Sequence, residues 1–197
     1  MPLNQPIGRD AVHLSIDMQR IFAEATEWHT PTLAGILPKV LRLATARPTL
    51  YSRFTVPAKA AAATGQWRRY YQRWSMFTGE AMDPGLVDLV APLAEIADPA
   101  DVYDKPTYSL FETPAFVERL AADHVGTIIF TGVETDVCVL ATLFGAVDRG
   151  FRVIAVADAL TSSSLESHAA IMDLLLPRMP DQVEIADTDA VLAAWAG

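Results

Sequence analysis

The sequence predicts an α/β fold, with three αβα layers around a mostly parallel six-stranded sheet, Rossmann-like in its winding. Two observations predict it. Short apolar runs recur along the chain and are nearly continuous in hydrophobicity, as strands covered on both faces require. Segments with apolar residues at helical spacing separate them, and strands alternating with helices build right-handed βαβ units. The 197 residues carry no repeat, low-complexity tract or flexible linker, which suits one domain over 1–197 with a substantial core.

The first strand is AVHLSID (11–17). A helix follows over 32–46, with Leu33, Ile36, Leu37, Val40, Leu41 and Leu43 as its apolar positions. TLYSRF (49–54) is the second strand. In QWRRYYQRWSMF (66–77), Trp67, Tyr70, Tyr71 and Trp74 fall at i, i+3, i+4 and i+7, one face of a helix, with Arg68, Arg69 and Arg73 between them. A helix is expected over 84–94 and a third strand at DVYD (101–104). The helix over 113–122 has Thr113 as N-cap candidate, Pro114 at its first position and Glu118 toward solvent. TIIFTGV (127–133), a helix over 135–148, RVIAVADAL (152–160), a helix over 164–176, QVEIAD (182–187) and a short helix over 189–195 complete the series.

Hydrophobic residues make up 51% of the chain and charged residues 20%, a balance suited to a well-packed globule. The net charge of -9 argues against nucleic acid or an anionic membrane surface as the main partner. One cysteine permits neither an intrachain disulfide nor cysteine-based zinc ligation. The opening MPLNQPIGRD lacks the apolar core of a signal peptide, and no apolar run reaches the roughly 18 residues of a membrane span. A reducing, cytoplasmic setting is therefore expected, in which a free thiol stays available for chemistry.

Ligands of open parallel sheets bind at the carboxyl ends of the strands. Three titratable residues fall at such ends: Asp17 after the first strand, Lys105 after the third, and Cys138 just after the fourth. Each has a structural explanation: Cys138 as a small core residue, Asp17 as a cap on the turn Met18–Arg20, Lys105 as a surface lysine. Together they form a chemical set. A helix start and a nearby ammonium favour a thiolate, and a carboxylate beside it can take and return a proton.

The stretches SIDMQRIF (15–22), DKPTYSLF (104–111) and TGVETDVCVLAT (131–142) closely resemble the three signatures of the isochorismatase-like cysteine hydrolases, in order and with similar spacing. That resemblance implies Asp17 as general base, Lys105 as catalytic lysine and Cys138 as the nucleophile of a thioester mechanism. It also implies a cis peptide between Val133 and Glu134, with the N–H groups of Glu134 and Cys138 forming an oxyanion hole. The Glu134 side chain either faces the pocket or fixes the loop. Relatives of this kind assemble as dimers or tetramers, so a homo-oligomer is expected.

Departures from relatives narrow the activity. Nicotinamidases carry an Asp and two His for a metal after the second strand; here that place reads YSRFTVPAKAAA, and no His lies between His29 and His124. No catalytic metal and no cofactor are therefore expected. Isochorismatases proper lack the cysteine, which disfavours vinyl-ether hydrolysis here. The expected activity is hydrolysis of a C–N bond in a small amide, carbamoyl or ureido compound. The alternatives are a non-catalytic metabolite- or partner-binding protein of the same fold and, more weakly, a thiol redox sensor.

Candidates for substrate contact are Phe22, Trp28, His29, Arg53, Trp67, Trp74 and Glu134, with one arginine of the 66–77 segment as partner for a substrate carboxylate. That segment alternatively packs on the core or a subunit. His13 is read as structural, His124 as a turn residue and His168 as a subunit contact.

Overall fold

The structure, a computed structural model, describes residues 3–195. Its elements run β1 (Ala11–Ile16), α1 (Arg20–Ala23), α2 (Leu33–Ala46), β2 (Thr49–Phe54), α3 (Gly65–Arg73), α4 (Ala91–Ala94) and β3 (Val102–Lys105). They continue with α5 (Pro114–Ala122), β4 (Thr127–Gly132), α6 (Leu140–Asp148), β5 (Arg152–Leu160), α7 (Leu165–Ala169), β6 (Val183–Ala186) and α8 (Thr188–Ala194). The six strands form one sheet in the order β3-β2-β1-β4-β5-β6, and every adjacent pair is parallel.

Successive side chains of a strand point to opposite faces, so each strand feeds two cores. Val12, Leu14 and Ile16 of β1 join Ile128 and Phe130 of β4 and pack against Phe116 and Leu120 of α5 and Leu143 and Ala146 of α6. On the opposite face Tyr51, Ile129 and Ile154 meet Leu33, Ile36, Val40 and Leu43 of α2 and Val191 of α8. These two apolar layers supply the main driving force for the three-layer arrangement.

His13 sits in the middle of β1 and is wholly buried. Its Nδ1 pairs with Thr49 Oγ1 at 3.0 Å and its Nε2 with Thr131 Oγ1 at 2.8 Å, which ties β1 to both neighbours. Burial pushes the imidazole pKa down from 6.5 to about 3, so the ring is neutral. A depressed folded-state pKa stabilises the protein fully above 6.5 and loses that contribution as pH falls toward 3. Denaturant titrations between these values are expected to show stability falling by about 1.4 kcal/mol per pH unit from this group. His13→Gln should remove that slope.

Three expected helices differ in form. The segment 84–94 splits into a 3₁₀ turn over Pro84–Val87 and α4. Between them the backbone runs along the exit of β1: Arg20 N donates to Asp88 O and Val90 N to Met18 O, each at 2.9 Å. Those tertiary bonds take the place of helical ones. The helix expected over 135–148 opens with a π-helical turn, Thr135–Val139, before α6. The one expected over 164–176 passes from α7 into a π turn over Ala170–Leu175 and a 3₁₀ turn at Leu176–Arg178. Thr113 precedes α5 but does not cap it; its Oγ1 donates instead to Asp104 O at 3.4 Å. No helix of the described residues is long and apolar enough to cross a membrane.

Gly132, the last residue of β4, has φ 107° and lies against β1. A Cβ there would stand 2.0 Å from Ile16 O. Gly132→Ala therefore combines a forbidden φ with a backbone clash. It is expected to destabilise the fold by about 3 kcal/mol or more, read by chemical denaturation.

Candidate active site

The strand order reverses between β1 and β4, which opens a crevice at their carboxyl ends. Asp17 leaves β1 with φ 49°, which turns its fully buried side chain into that crevice. Ser52 Oγ donates to Asp17 Oδ1 at 2.6 Å, and Lys105 Nζ donates to Asp17 Oδ2 at 2.7 Å. Lys105 ends β3, two strands from β1, a gap of about 10 Å at normal strand spacing. Only a long side chain closes that gap. The lysine does so past the ring of Phe54, with Nζ 5.1 Å from its centroid, and also donates to Thr107 O at 3.2 Å. The ion pair is almost wholly shielded from solvent.

Cys138 lies in the π turn and is 6% exposed. Glu134 O accepts from both Val137 N and Val139 N at 3.1 Å, and Thr142 Oγ1 donates to Cys138 O at 2.8 Å. The Val133–Glu134 peptide bond is cis. Burial pushes the thiol pKa well above its ordinary value, the charge of Asp17 adds to this, and Lys105 opposes it. That direction is opposite to the one expected from a helix start and a nearby lysine. The main physical reason is burial, and the carboxylate that binds Lys105 at 2.7 Å further opposes a charge on the sulfur. For Lys105 itself burial lowers the pKa, but Asp17 and Cys138 outweigh it and the net shift is upward.

Cys138 forms part of the wall of a cavity of about 210 Å³. Phe22, Trp28, Phe54, Tyr70, Trp74 and Tyr108 supply most of the remaining wall, and Glu27, His29, Glu134, Val137 and Ser163 the rest. Trp28 is the centre of the aromatic packing, stacked on Phe77 at 4.1 Å and on Phe22 at 6.4 Å. The Glu134 carboxylate does both things expected of it. It lines the cavity, and its Oε1 accepts from Thr30 Oγ1 at 3.1 Å and Ser163 N at 2.7 Å, tying three loops together.

The Isochorismatase domain family matches residues 11–187. The chain belongs to the isochorismatase family. Among curated proteins it is similar to the ureidoacrylate amidohydrolase RutB of Methylobacterium radiotolerans, 38% identical over 86 residues, 43% of this chain and 31% of that protein. It is also similar to an isochorismatase family protein, PncA, of Bacillus subtilis, 35% identical over 66 residues, 34% of this chain and 36% of that one. The chain thus matches about a third of the length of these curated relatives. A cysteine hydrolase from Pseudomonas syringae pv. phaseolicola has the same fold, with a TM-score of 0.80 at 23% identity over 98% of this chain and 96% of that one. Curated relatives of this isochorismatase-family chain therefore include a ureidoacrylate amidohydrolase.

Within this isochorismatase fold, two expected substrate contacts lie elsewhere. Arg53 points away from the cavity, because alternate residues of β2 take opposite faces: Ser52 and Phe54 serve the site, and Arg53 does not. Its guanidinium binds Asp104 through Nε at 2.8 Å and Nη2 at 3.1 Å. Trp67 stands behind the wall, 4.9 Å from Tyr108 and 5.4 Å from Tyr70 by ring centroids. The 66–77 segment both packs and lines: Tyr71 is buried, whereas Tyr70 and Trp74 reach the cavity. Arg68, Arg69 and Arg73 are exposed and outside the lining, so none is placed for a substrate carboxylate. His168 Nδ1 pairs with Thr135 Oγ1 at 2.9 Å, an internal bond onto the cysteine loop. Among the described residues no three His, Cys, Asp or Glu side chains cluster in a way that could hold a metal ion.

Sequence reasoning missed Ser52, Phe54 and Tyr108, and held Tyr70 only as one of the aromatic face of 66–77. Phe54 ends an identified strand, and Tyr108 lies three residues beyond Lys105 in the quoted DKPTYSLF. Both were signalled by the strand-end rule that located the acid, the lysine and the thiol.

Proposed function

We propose that this protein is a cysteine hydrolase of small amides, carbamoyl compounds or ureides. The observation that carries the reading is the buried Asp17–Lys105 ion pair beside Cys138, which lines one small aromatic cavity. As Cys138 Sγ attacks the substrate carbonyl, Asp17 takes the thiol proton, so the sulfur becomes anionic only as its bond to carbon forms. Lys105 holds Asp17 in place and offsets the negative charge. The backbone N–H groups of Glu134 and Cys138 receive the oxyanion. Asp17 then protonates the leaving nitrogen, and ammonia or an amine departs from a thioester. Water attacks that thioester with Asp17 as base; the acid leaves and the proton returns to sulfur.

The cavity of about 210 Å³ is smaller than the ~300–1,000 Å³ of sites for drug-sized ligands, which suits a small substrate. The relation to a ureidoacrylate amidohydrolase supports a C–N bond as the target. The test is ammonia release over a panel of amides, carbamoyl amines and ureides, with thioester trapping by mass spectrometry. Tight binding without turnover or acylation would instead support a metabolite-binding role.

A further inference from the structure

The cavity wall has an electrostatic bias independent of the catalytic set. Six aromatic rings enclose it: Phe22, Trp28, Phe54, Tyr70, Trp74 and Tyr108. The acidic side chains in its lining are Glu27, at the exposed rim, and Glu134. No lysine or arginine joins the lining among the described residues. Lys105 is buried beneath it and already engaged by Asp17 and Thr107 O. Arg73 is exposed and sits 5.3 Å from the ring centroid of Trp74, outside the lining. Burial raises the phenol pKa values of Tyr70 and Tyr108, so both are neutral hydroxyls near pH 7 and add no charge.

Aromatic faces carry negative potential and attract cations, most strongly where water is excluded. A carboxylate bound here would lose water and meet two carboxylates, with His29 as the one basic side chain in the wall and no lysine or arginine to pair with. A compact organic cation would meet ring faces and acidic groups of the opposite charge.

We propose that the cavity selects amides whose non-reacting end is an organic cation, such as an alkylated ammonium group, and rejects anionic ones. This rests on the hydrolase reading for the reaction but on the wall alone for the charge preference. Ureidoacrylate, whose acrylate end is a carboxylate, is a poor fit on this basis.

The test uses three compact primary amides: the trimethylammonium acetamide cation, its uncharged isostere 3,3-dimethylbutanamide, and malonamate. Binding is measured by calorimetry on Cys138→Ala, which cannot turn the probes over, and kcat/KM on the unaltered protein. The cation is expected to bind about ten- to thirty-fold more tightly than its isostere, the range of a desolvated cation–π contact, and malonamate least of all. Glu27→Gln should reduce the cation's advantage over its neutral isostere about threefold. Equal binding of cation and isostere, tighter binding of malonamate, or no binding of the cation would overturn the proposal. Binding in the expected order without hydrolysis of any probe would leave the charge preference standing and defeat the hydrolase reading. Equal hydrolysis of all three would do the reverse.

Discussion

Replacing Cys138 by alanine is expected to lower kcat on a confirmed substrate by about 10⁴-fold or more, with little change in stability. Removing a nucleophile from a set that acts as a unit costs nearly all of its rate advantage. The substitution deletes one sulfur from a residue that is 6% exposed, so the packing loss is small. A second readout follows from the raised thiol pKa. Iodoacetamide near neutral pH should modify Cys138 more slowly than an exposed cysteine, because the reactive form is scarce and burial restricts access. Slow alkylation therefore does not argue against catalysis here; unchanged turnover in Cys138→Ala would. The raised pKa has a stability consequence as well. Its contribution is fully present below the ordinary thiol value of 9.0 and is lost as pH rises further through the folded-state value. The loss of stability above pH 9 should be smaller in Cys138→Ala.

Asp17→Asn is expected to cost about 10²–10⁴ in kcat and also about 3–5 kcal/mol of stability. The first loss is that of a proton acceptor beside the thiol. The second arises because Lys105, fully buried, keeps its charge with no opposite charge beside it. Lys105→Met strands the carboxylate in the same way and should cost a similar amount. The double variant Asp17→Asn/Lys105→Met removes both charges and should be more stable than either single variant while remaining inactive. Denaturant melts of the four proteins, with kcat for each, give the coupling directly. Additive stability losses would mean that the 2.7 Å ion pair does not hold this site together. The pH sign is also determined. A lysine with a raised pKa stabilises fully below its ordinary 10.5 and loses that stabilisation as pH rises through the folded value.

Strand positions were legible because the central strands β1, β2, β4 and most of β5 are apolar runs buried on both faces, and that pattern is local. Asp17, Lys105 and Cys138 were legible because strand ends in a parallel sheet converge on one edge. Helix form was less so. Pro84–Val87 and Ala91–Ala94 have helical composition, yet the backbone between them is claimed by Met18 and Arg20. No window of sequence shows that competition. Arg53 was misplaced for a similar reason: the residues flanking it in β2 serve the site, so its own parity turns it to the other face.

The alternation of strands and helices, the family and the three candidate catalytic groups are all readable from the sequence. These depend on local periodicity and on motifs short enough to read. The tertiary structure alone decided how those groups share charge and which residues wall the cavity. Burial and the Asp17 charge push the thiol pKa up while Lys105 pulls it down, and this balance follows from distances and desolvation rather than from composition. The wall likewise draws Phe22, Phe54, Trp74 and Tyr108 from four separate stretches of chain. Their shared aromatic surface exists only once the sheet has brought those stretches together.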